Sequence, residues 1–487
     1  MAPRTSASVS GEDVPDEAAE TRMIPPAPTS TPPARTRARR GGPMLTTVDA
    51  LVEVVTPILG GGVQPRDVDQ IDVIRPASVR GHLRFWWRAL NGHRHEAADL
   101  HDRESALWGR AATEREGGRS AVDLRVDVQR AGEIDPSPIH PVNTRGAYAL
   151  WPAREERREG IPTAKRRKPG TQLRLTLVVP KDREAEVREV VRAWILFGGY
   201  GGRTRRGLGS LRGVDRDGDW LPAEATAIAA CFGRDIFAPP EQAAGDTPWL
   251  AGASLQVGRS GGDAEQAWVT ALSWLREFRQ GTESRARQPG RDGRPSISNW
   301  PEADKIRQLS RPRRTRRWAH TPRHNKTPIW PRAAFGLPII GQFQKLSREP
   351  KQANTRPEYL RWDELPEHHP NHGEEPEPFE LGWHALDDAH AMERLASPLI
   401  VKALPLAGGR FAPCALWLHR AYPDGEVGLV QKRGKDRFIA EKTVARFDAL
   451  VAPGDAPHFA PLRNKASLRD AFLDWLQVNY KTTKVSP

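Results

Sequence analysis

The sequence predicts an α+β protein made of two ferredoxin-like (RRM-like) domains with insertions, each with the element order βαββαβ. Three observations predict this fold. The chain has 487 residues, of which 38% are hydrophobic, and this is enough for more than one core. The first half follows the order strand, helix, strand, strand, helix, strand. The second half begins this order again with a strand and an amphipathic helix.

The first strand and the first helix are the clearest elements of the N-terminal half. The segment LTTVDALVEVVTPILGGG (45–62) is rich in β-branched residues and ends in a glycine triplet, which predicts a strand that continues into a loop. The segment RPASVRGHLRFWWRALNG (75–92) has Pro76 near its start and closes with asparagine and glycine. This pattern predicts a helix with Ser78 as its N-cap.

Two strands, a helix and a short strand complete the first domain. Apolar and polar residues alternate in AVDLRVDVQR (121–130) and in TQLRLTLVVP (171–180), which predicts two antiparallel strands with one buried face each. In REAEVREVVRAWILFGG (183–199) apolar residues recur at helical spacing until two glycines end the helix. A glycine-rich loop, GGYGGRTRRGLGS (198–210), then leads to a short final strand. In the run AVDLRVDVQR (121–130), the residues predicted to lie on the buried face are Val122, Leu124, Val126 and Val128.

The second half repeats the beginning of this pattern and then becomes more elaborate. The predicted strand ASLQVG (253–258) precedes a helix at 263–280, and LRDAFLDWLQVNY (468–480) predicts a terminal helix. Short apolar strands lie between the two helices, and the sequence does not predict their spatial order.

The chain divides into four predicted regions. Residues 1–43 form a disordered arm rich in Pro, Ser and Arg, which ends in the basic run ARTRARR (34–40). Residues 44–225 form the N-terminal ferredoxin-like domain with the glycine-rich loop, and 226–248 form a linker. Residues 249–487 form an elaborated C-terminal ferredoxin-like domain.

Composition restricts the classes of partner. The 74 Lys and Arg exceed the 61 Asp and Glu, and the net charge of +13 favours a polyanion, above all a nucleic acid. No run of 18 apolar residues predicts a membrane span. The two cysteines, Cys231 and Cys414, are too far apart in the sequence to indicate a disulfide framework or a zinc site. We therefore expect a cytoplasmic protein with no membrane partner and no small-molecule substrate.

The glycine-rich loop and the first helix carry the candidate binding site. Glycines let a backbone approach a ligand closely, and consecutive amides can form an anion-binding concavity. Arginines add forked donors that suit phosphate. On the first helix, arginines recur every four residues along a stripe beside the apolar face. The residues predicted to bind a polynucleotide are Arg75, Ser78, Arg80, Arg84, Arg88, Gly199, Tyr200, Gly201, Gly202, Arg203, Thr204, Arg205 and Arg206.

These motifs resemble the RAMP superfamily of CRISPR proteins. Within it, they are similar to the family of first RAMP subunits of type III-B Cmr effector complexes. The resemblance covers roughly residues 56–400, and therefore both predicted domains. The segments that carry it, besides the glycine-rich loop, are RPASVRGHLRFWWRAL (75–90), LWG (107–109), WPEADKIR (300–307), FGLPI (335–339) and SPLI (397–400).

The resemblance implies a non-catalytic, RNA-binding subunit of an RNA-guided effector complex that acts in antiviral defence. Such a subunit would hold the 3′ region of the guide RNA, help to capture target RNA and contact other RAMP subunits, while a different subunit cleaves the target. It implies no cofactor and no metal. Contacts should go mostly to phosphate and sugar, because guide and target sequences vary and base pairing supplies the specificity.

Two other functions stay open from the sequence. A RAMP endoribonuclease would process repeat RNA by metal-independent attack of the 2′-OH, with His82 and Tyr200 as candidate acid and base. An assembly scaffold would use the basic surface to contact acidic protein neighbours. The sequence argues against metal chemistry, because HRHEAADLHD (93–102) lacks the HExxH spacing and SGGDA (260–264) has alanine where a second carboxylate would stand.

Overall fold

The structure, a computed structural model, describes most of the chain after residue 43. The predicted N-terminal arm lies outside the described residues. The described range is 44–485 without 63, 112–117, 157–158, 215–216, 290–295, 311–329, 344–345, 348–358, 361–377, 385–391, 423–425, 434–435 and 444–457.

The described residues form strands and helices in the first half of the chain and mostly strands in the second half. The strands are β1 (Leu45–Val54), β2 (Ile58–Leu59), β3 (Asp123–Arg130), β4 (Ile134–Asp135), β5 (Arg166–Arg167), β6 (Thr171–Pro180), β7 (Leu211–Gly213), β8 (Trp249–Val257), β9 (Arg287–Gln288), β10 (Ile297–Ser298), β11 (Ile339–Gly341), β12 (Leu346–Ser347), β13 (Tyr359–Leu360), β14 (Phe379–His384), β15 (Met392–Glu393), β16 (Leu399–Leu406), β17 (Arg410–His419), β18 (Glu426–Arg433), β19 (Asp436–Thr443) and β20 (Thr483–Lys484). The α-helices are α1 (Pro76–Asn91), α2 (Ala97–Trp108), α3 (Ala147–Leu150), α4 (Glu184–Phe197), α5 (Asp217–Trp220), α6 (Ile228–Phe232), α7 (Ala264–Gln280), α8 (Pro301–Ser310) and α9 (Leu468–Tyr480).

The first sheet contains the strands predicted for the N-terminal half. Its spatial order is β3-β6-β1-β7, and all neighbours are antiparallel. β1 pairs with β6 from Leu45 opposite Pro180 to Val54 opposite Thr171. Because side chains alternate along a strand, one face of β6 is fully buried, and it consists of Thr171, Leu173, Leu175, Leu177 and Val179. Helices α1 and α4 pack against each other on this sheet.

The second sheet has the same arrangement of connections. Its order is β16-β17-β8-β20, again with antiparallel neighbours. In both sheets the first strand in the chain lies between the third and the fourth, and the second strand lies at an edge beside the third. The predicted α+β class is therefore confirmed.

The two sheets share a hydrophobic core. This core joins Val52 and Leu175 of the first sheet to Leu404 of the second, and it includes Trp86 of α1 and Trp194 of α4. α1 also contacts β8 directly. The core explains why the part of the chain after residue 44 forms one compact unit.

A buried lysine connects the second sheet to the end of α4. Nζ of Lys402 on β16 donates hydrogen bonds to the carbonyl oxygens of Ile195 at 3.3 Å, Leu196 at 2.8 Å and Gly198 at 2.8 Å. A cation is favourable at a helix C-terminus, although burial lowers the pKa of Lys402 to about 7. The contact fixes the first residue of the glycine-rich loop against the second sheet.

Further cores support the second half of the chain. Trp268 and Phe278 of α7 pack with Phe472 of α9 in one of them. Another packs against the sheet that contains β11, β14, β18 and β19. In the sequence, the residues of this core lie between β8 and α9.

Two local predictions are wrong. Ser78 lies within the first turn of α1, whereas Arg75 is the N-cap and has no side-chain capping bond, because Pro76 is the first helical residue. The strand β3 is at the edge of its sheet, so Val128 is exposed rather than buried. The predicted helix faces of α4 and α7 are buried as expected.

Candidate nucleic-acid interface

Backbone hydrogen bonds hold the glycine-rich loop in place, both within the loop and to the segment 57–59. The amide of Gly202 donates to the carbonyl oxygen of Leu59 at 2.7 Å, and that of Gly209 donates to Pro57 at 2.9 Å. The amide of Tyr200 donates to the Gly209 carbonyl at 2.9 Å. These three amides are therefore not available to an anion, in contrast to the predicted concavity of consecutive amides.

Glycine is required in this loop by close packing against the second half of the chain. Gly207 has φ +78°, and a Cβ atom there would lie 2.3 Å from Cδ1 of Trp268 and 2.8 Å from the carbonyl oxygen of Val401. The indole Nε1 of Trp268 also donates to the Arg206 carbonyl at 2.7 Å. The loop is thus the joint at which the first sheet region meets α7 and β16.

Tyr200 joins the loop to the start of α1. Its hydroxyl accepts a hydrogen bond from the backbone amide of Arg75 at 2.9 Å, and its side chain is buried. The Arg75 guanidinium pairs with Asp69 and lowers the pKa of that carboxyl group. The loop and the helix are therefore adjacent, as predicted, but Tyr200 and Arg75 already have protein partners.

The three predicted arginines of α1, Arg80, Arg84 and Arg88, are called here the helix arginines. Arg84 Nε and Arg88 Nη1 both contact the same buried carboxylate oxygen of Glu104 on α2, at 2.6 Å and 2.5 Å. Arg80 Nη1 donates to Ser120 Oγ at 2.7 Å. Their stripe faces α2 and the segment that follows it, so these guanidinium groups are engaged within the protein.

The remaining predicted residues are Ser78 in the first turn of α1 and residues of the glycine-rich loop. Ser78, Gly202 and Arg203 are exposed, and Thr204 is partly exposed. Gly199 and Gly201 take part in packing, because a Cβ atom on either residue would lie 2.9 Å from a neighbouring atom.

Five arginines from both halves of the chain surround Tyr148. They are called here the arginine cluster, and they are Arg203, Arg206, Arg279, Arg287 and Arg332. Arg279 Nη1 donates to the Tyr148 hydroxyl at 3.1 Å, and Arg203 Nη1 donates to the Ala149 carbonyl at 3.3 Å. Arg206 Nη1 donates to the Leu399 carbonyl at 3.2 Å. Most of these hydrogen bonds go to neutral acceptors, which leave the positive charge in place.

Only one carboxylate offsets this charge within the described part of the chain. Glu302 on α8 is fully buried and lies 3.5 Å from Nε of Arg332. Arg287 forms neither a side-chain hydrogen bond nor an ion pair with the described residues. Burial first, and then the positive charge of Arg279, lowers the pKa of Arg206 to about 10. The cluster is a site of uncompensated positive charge.

A second pair of cations lies on the other flank of the loop. The guanidinium of Arg205 lies 5.7 Å from the centre of the Phe85 ring on α1. Burial first, and then the charge of Arg420, lowers the pKa of Arg205 to about 10. Nε and Nη2 of Arg420 are buried without a hydrogen-bond partner among the described atoms.

The candidate acid and base of a ribonuclease are packed into the protein. The ring of His82 lies between Trp194 at 6.2 Å and Tyr200 at 6.0 Å, and burial lowers its pKa. His82 is therefore neutral near pH 7, and the Tyr200 hydroxyl is occupied by the Arg75 amide.

Sequence reasoning missed Arg279, Arg287, Arg332 and Arg420. They come from the end of α7, from β9, from a 3-10 turn at Pro331–Phe335 and from the residue after β17. They belong to four separate segments of the chain, so no common spacing pattern marks them. Only the folding of the second half onto the glycine-rich loop brings these four residues to the site.

Two other kinds of site are absent from the described ranges. No group of three or more His, Cys, Asp or Glu side chains there could hold a metal ion. No helix in that part of the chain is long and apolar enough to cross a membrane.

Known proteins resemble this chain in structure more than in sequence. Curated protein sequences give no match. Cmr1 from Pyrococcus furiosus, in its apo form, is 12% identical with a TM-score of 0.44, and the similarity covers 91% of this chain and 99% of that one. A chain of the type III-B Cmr-beta complex bound to cognate target RNA is 12% identical with a TM-score of 0.41, covering 78% and 95%. A chain of a type IV-B CRISPR complex is 16% identical with a TM-score of 0.24, covering 35% and 91%.

A family model gives the remaining result. Residues 51–212, which contain the end of β1, α1, α4 and the glycine-rich loop, match the model of the RAMP superfamily, and this match confirms over that region the predicted resemblance to that superfamily.

Proposed function

We propose that this protein is a non-catalytic RNA-binding subunit of a type III-B RNA-guided effector complex. In this role it holds the 3′ region of the guide RNA, helps to capture target RNA and contacts other RAMP subunits in the cytoplasm. The proposal rests on the RAMP superfamily match at 51–212, on the net charge of +13 and on the arginine cluster.

The uncompensated charge of the arginine cluster is the observation that carries the proposal. Desolvated cations without carboxylates are costly, and a bound phosphate backbone would remove that cost. All five arginines are at least partly exposed, so a polynucleotide can reach them. Their hydrogen bonds to carbonyl and hydroxyl groups hold the side chains in place without neutralising them.

The repeated strand order supports the finer fold assignment. Both four-stranded sheets have the antiparallel order second, third, first, fourth, with helices between the first and second strands and between the third and fourth. We therefore assign two ferredoxin-like domains, at 44–225 and 249–487, with the linker at 226–248. The second domain carries insertions between α7 and β16 and between β17 and α9.

RNA binding is tested with a triple variant that leaves buried ion pairs intact. The variant Arg203→Ala/Arg279→Ala/Arg287→Ala removes three cluster charges. Nitrocellulose filter binding measures its affinity for single-stranded RNA at several salt concentrations, which gives the salt slope, the change in the logarithm of the binding constant with the logarithm of salt concentration. Each phosphate contact contributes about 0.7 to the salt slope on a single strand, so the slope should fall by about 2. Affinity should fall roughly 100-fold if each contact is worth about 1 kcal/mol.

The matched control changes the same net charge elsewhere. Arg119, Arg125 and Arg183 are exposed arginines that already pair with acidic residues, and their triple alanine variant should bind RNA like the wild type. If both triple variants bind RNA as tightly as the wild type does, the arginine cluster is not the RNA-binding site. Salt-insensitive binding of acidic neighbours, without RNA binding, would favour the scaffold instead.

The non-catalytic assignment has its own test. Incubation of the pure protein with repeat RNA in EDTA should give no discrete product, because His82 and Tyr200 are packed among aromatic side chains. A specific cut that is lost in the His82→Ala variant would replace our proposal with the ribonuclease.

A further inference from the structure

One tryptophan remains exposed beside the arginine cluster. Trp151 is 43% exposed, and no other tryptophan in the described part of the chain falls in the exposed class. It directly follows α3, whose Tyr148 and Ala149 accept hydrogen bonds from Arg279 and Arg203 of the cluster. An exposed indole ring therefore follows, two and three residues later in the chain, the residues that bind two arginines of the cluster.

The turn that displays Trp151 is clamped by an arginine. Arg66 Nη1 donates to the carbonyl oxygen of Pro152 at 3.1 Å, and its Nη2 donates to that of Ala153 at 3.1 Å. Nε of the same guanidinium donates to the Pro162 carbonyl at 3.1 Å. A guanidinium that satisfies several backbone carbonyls fixes the turn that follows the ring, so a ligand would meet a preorganised surface.

The Trp151 ring makes a cation–π contact with a neighbouring arginine. The guanidinium of Arg154 lies 3.9 Å from the centre of the Trp151 ring, and its Nη1 donates to the Trp151 carbonyl at 3.3 Å. This cation–π contact holds a positive charge next to the indole. The residue keeps its exposure with the guanidinium in place, so an area of the side chain remains open for contact.

We propose that Trp151 is a stacking platform for an unpaired nucleobase of single-stranded RNA whose phosphates contact the arginine cluster. This inference rests on the proposed function. Proteins that bind single strands combine a positive groove with exposed aromatic rings, and every base offers a π face to such a ring. A base-paired duplex keeps its bases stacked on each other, so the platform selects an unpaired segment.

The test separates the base from the phosphates. Fluorescence anisotropy is measured with a uridine-rich 12-nucleotide RNA and with an oligonucleotide of the same length in which the central positions are abasic. Trp151→Ala should weaken binding of the RNA by about 5- to 100-fold, the range for loss of one stacked base. It should leave binding of the abasic oligonucleotide unchanged. Trp151→Phe should retain most of the affinity, because a phenyl ring still stacks.

The controls distinguish this inference from the proposed function. Tyr480→Ala removes an aromatic residue of similar exposure on α9 and should bind both oligonucleotides like the wild type. An equal loss on both oligonucleotides in Trp151→Ala, or no loss on either, would overturn the platform. If the triple cluster variant still loses affinity in that case, only the stacking inference fails. If the wild type binds neither oligonucleotide, the proposed function fails with it.

Discussion

The helix arginines and the arginine cluster have the same side chains but opposite electrostatic surroundings. Arg84 and Arg88 share the buried carboxylate of Glu104, whose negative charge offsets one of their two positive charges inside the protein. In the arginine cluster, five guanidinium groups face a single carboxylate among the described residues, that of Glu302. The first group holds α1 against α2, and the second carries more positive charge than the carboxylates of the described residues offset.

This difference teaches that an arginine-rich pattern does not by itself locate a polyanion site. The helix arginines are the more regular sequence pattern, yet their donors are used within the fold. The members of the cluster come from the glycine-rich loop and from three distant segments of the second half, and these segments meet only in space. A ligand site is better recognised by charge that the protein leaves uncompensated than by the number of arginines.

The largest expected effect comes from the joint that brings the cluster together. Gly207→Ala would add a Cβ atom 2.3 Å from Trp268 at a φ of +78°. Strain of a left-handed residue and overpacking together should lower the free energy of unfolding by about 2–5 kcal/mol, measured by urea unfolding. RNA binding should fall as well, because the loop moves away from α7.

The matched control separates strain from overpacking. Gly233 has a φ of +65°, but a Cβ atom there would have no neighbour within 4 Å, so Gly233→Ala should cost only about 1–2 kcal/mol. Equal losses in both variants would show that close packing at the joint is unimportant.

The next effect concerns the carboxylate of the helix arginines. Glu104→Gln removes the negative charge and leaves two arginines without it. Breaking a buried pair costs about 3–5 kcal/mol, and the partial exposure of both arginines should reduce this to about 2–3 kcal/mol in urea unfolding. Glu133→Gln is the control, since its pair with Lys168 is exposed and its loss should leave the urea midpoint close to that of the wild type. No loss in Glu104→Gln would mean that the helix arginines are not held by that carboxylate.

Much of the fold was predictable because it depends on local periodicity. Apolar residues at helical spacing correctly predicted the buried faces of α4 and α7, and alternation correctly predicted β6. Errors arose where tertiary context decides. Burial along β3 is reduced by its position at a sheet edge, and Pro76 moves the start of α1 ahead of Ser78.

The candidate site was predictable only in part, because its charges are compensated or left uncompensated by distant residues. The sequence indicated the glycine-rich loop and its contact with α1, which Tyr200 provides. It could not show that Glu104, sixteen residues after Arg88, would pair with the helix arginines. Nor could it show that Arg279 and Arg287 would approach Arg206 from the second half of the chain.

A smaller effect concerns the pH dependence of stability, and it involves His93, which lies just after the end of α1. Burial and then the charge of Arg94 lower the pKa of His93 to about 4, so the folded protein keeps this side chain neutral. The unfolded chain takes up the proton below its ordinary pKa of about 6.5. Stability should therefore fall as pH decreases from about 6.5 to about 4. Urea midpoints should show a weaker acid dependence in His93→Gln than in the wild type, and the exposed His101→Gln control should retain it.

The smallest expected effect on stability is also the sharpest test of the comparison. Arg287→Ala removes a cluster arginine that has no ion pair among the described residues, so the free energy of unfolding should change by less than about 0.5 kcal/mol. Its salt slope for single-stranded RNA should nevertheless fall by about 0.7, the contribution of one phosphate contact. Arg84→Ala should do the reverse, because it removes an ion pair with Glu104 but no proposed RNA contact. If Arg84→Ala lowers the salt slope as much as Arg287→Ala does, the helix arginines exchange Glu104 for phosphate when RNA binds, and the contacts predicted from the sequence belong to the interface.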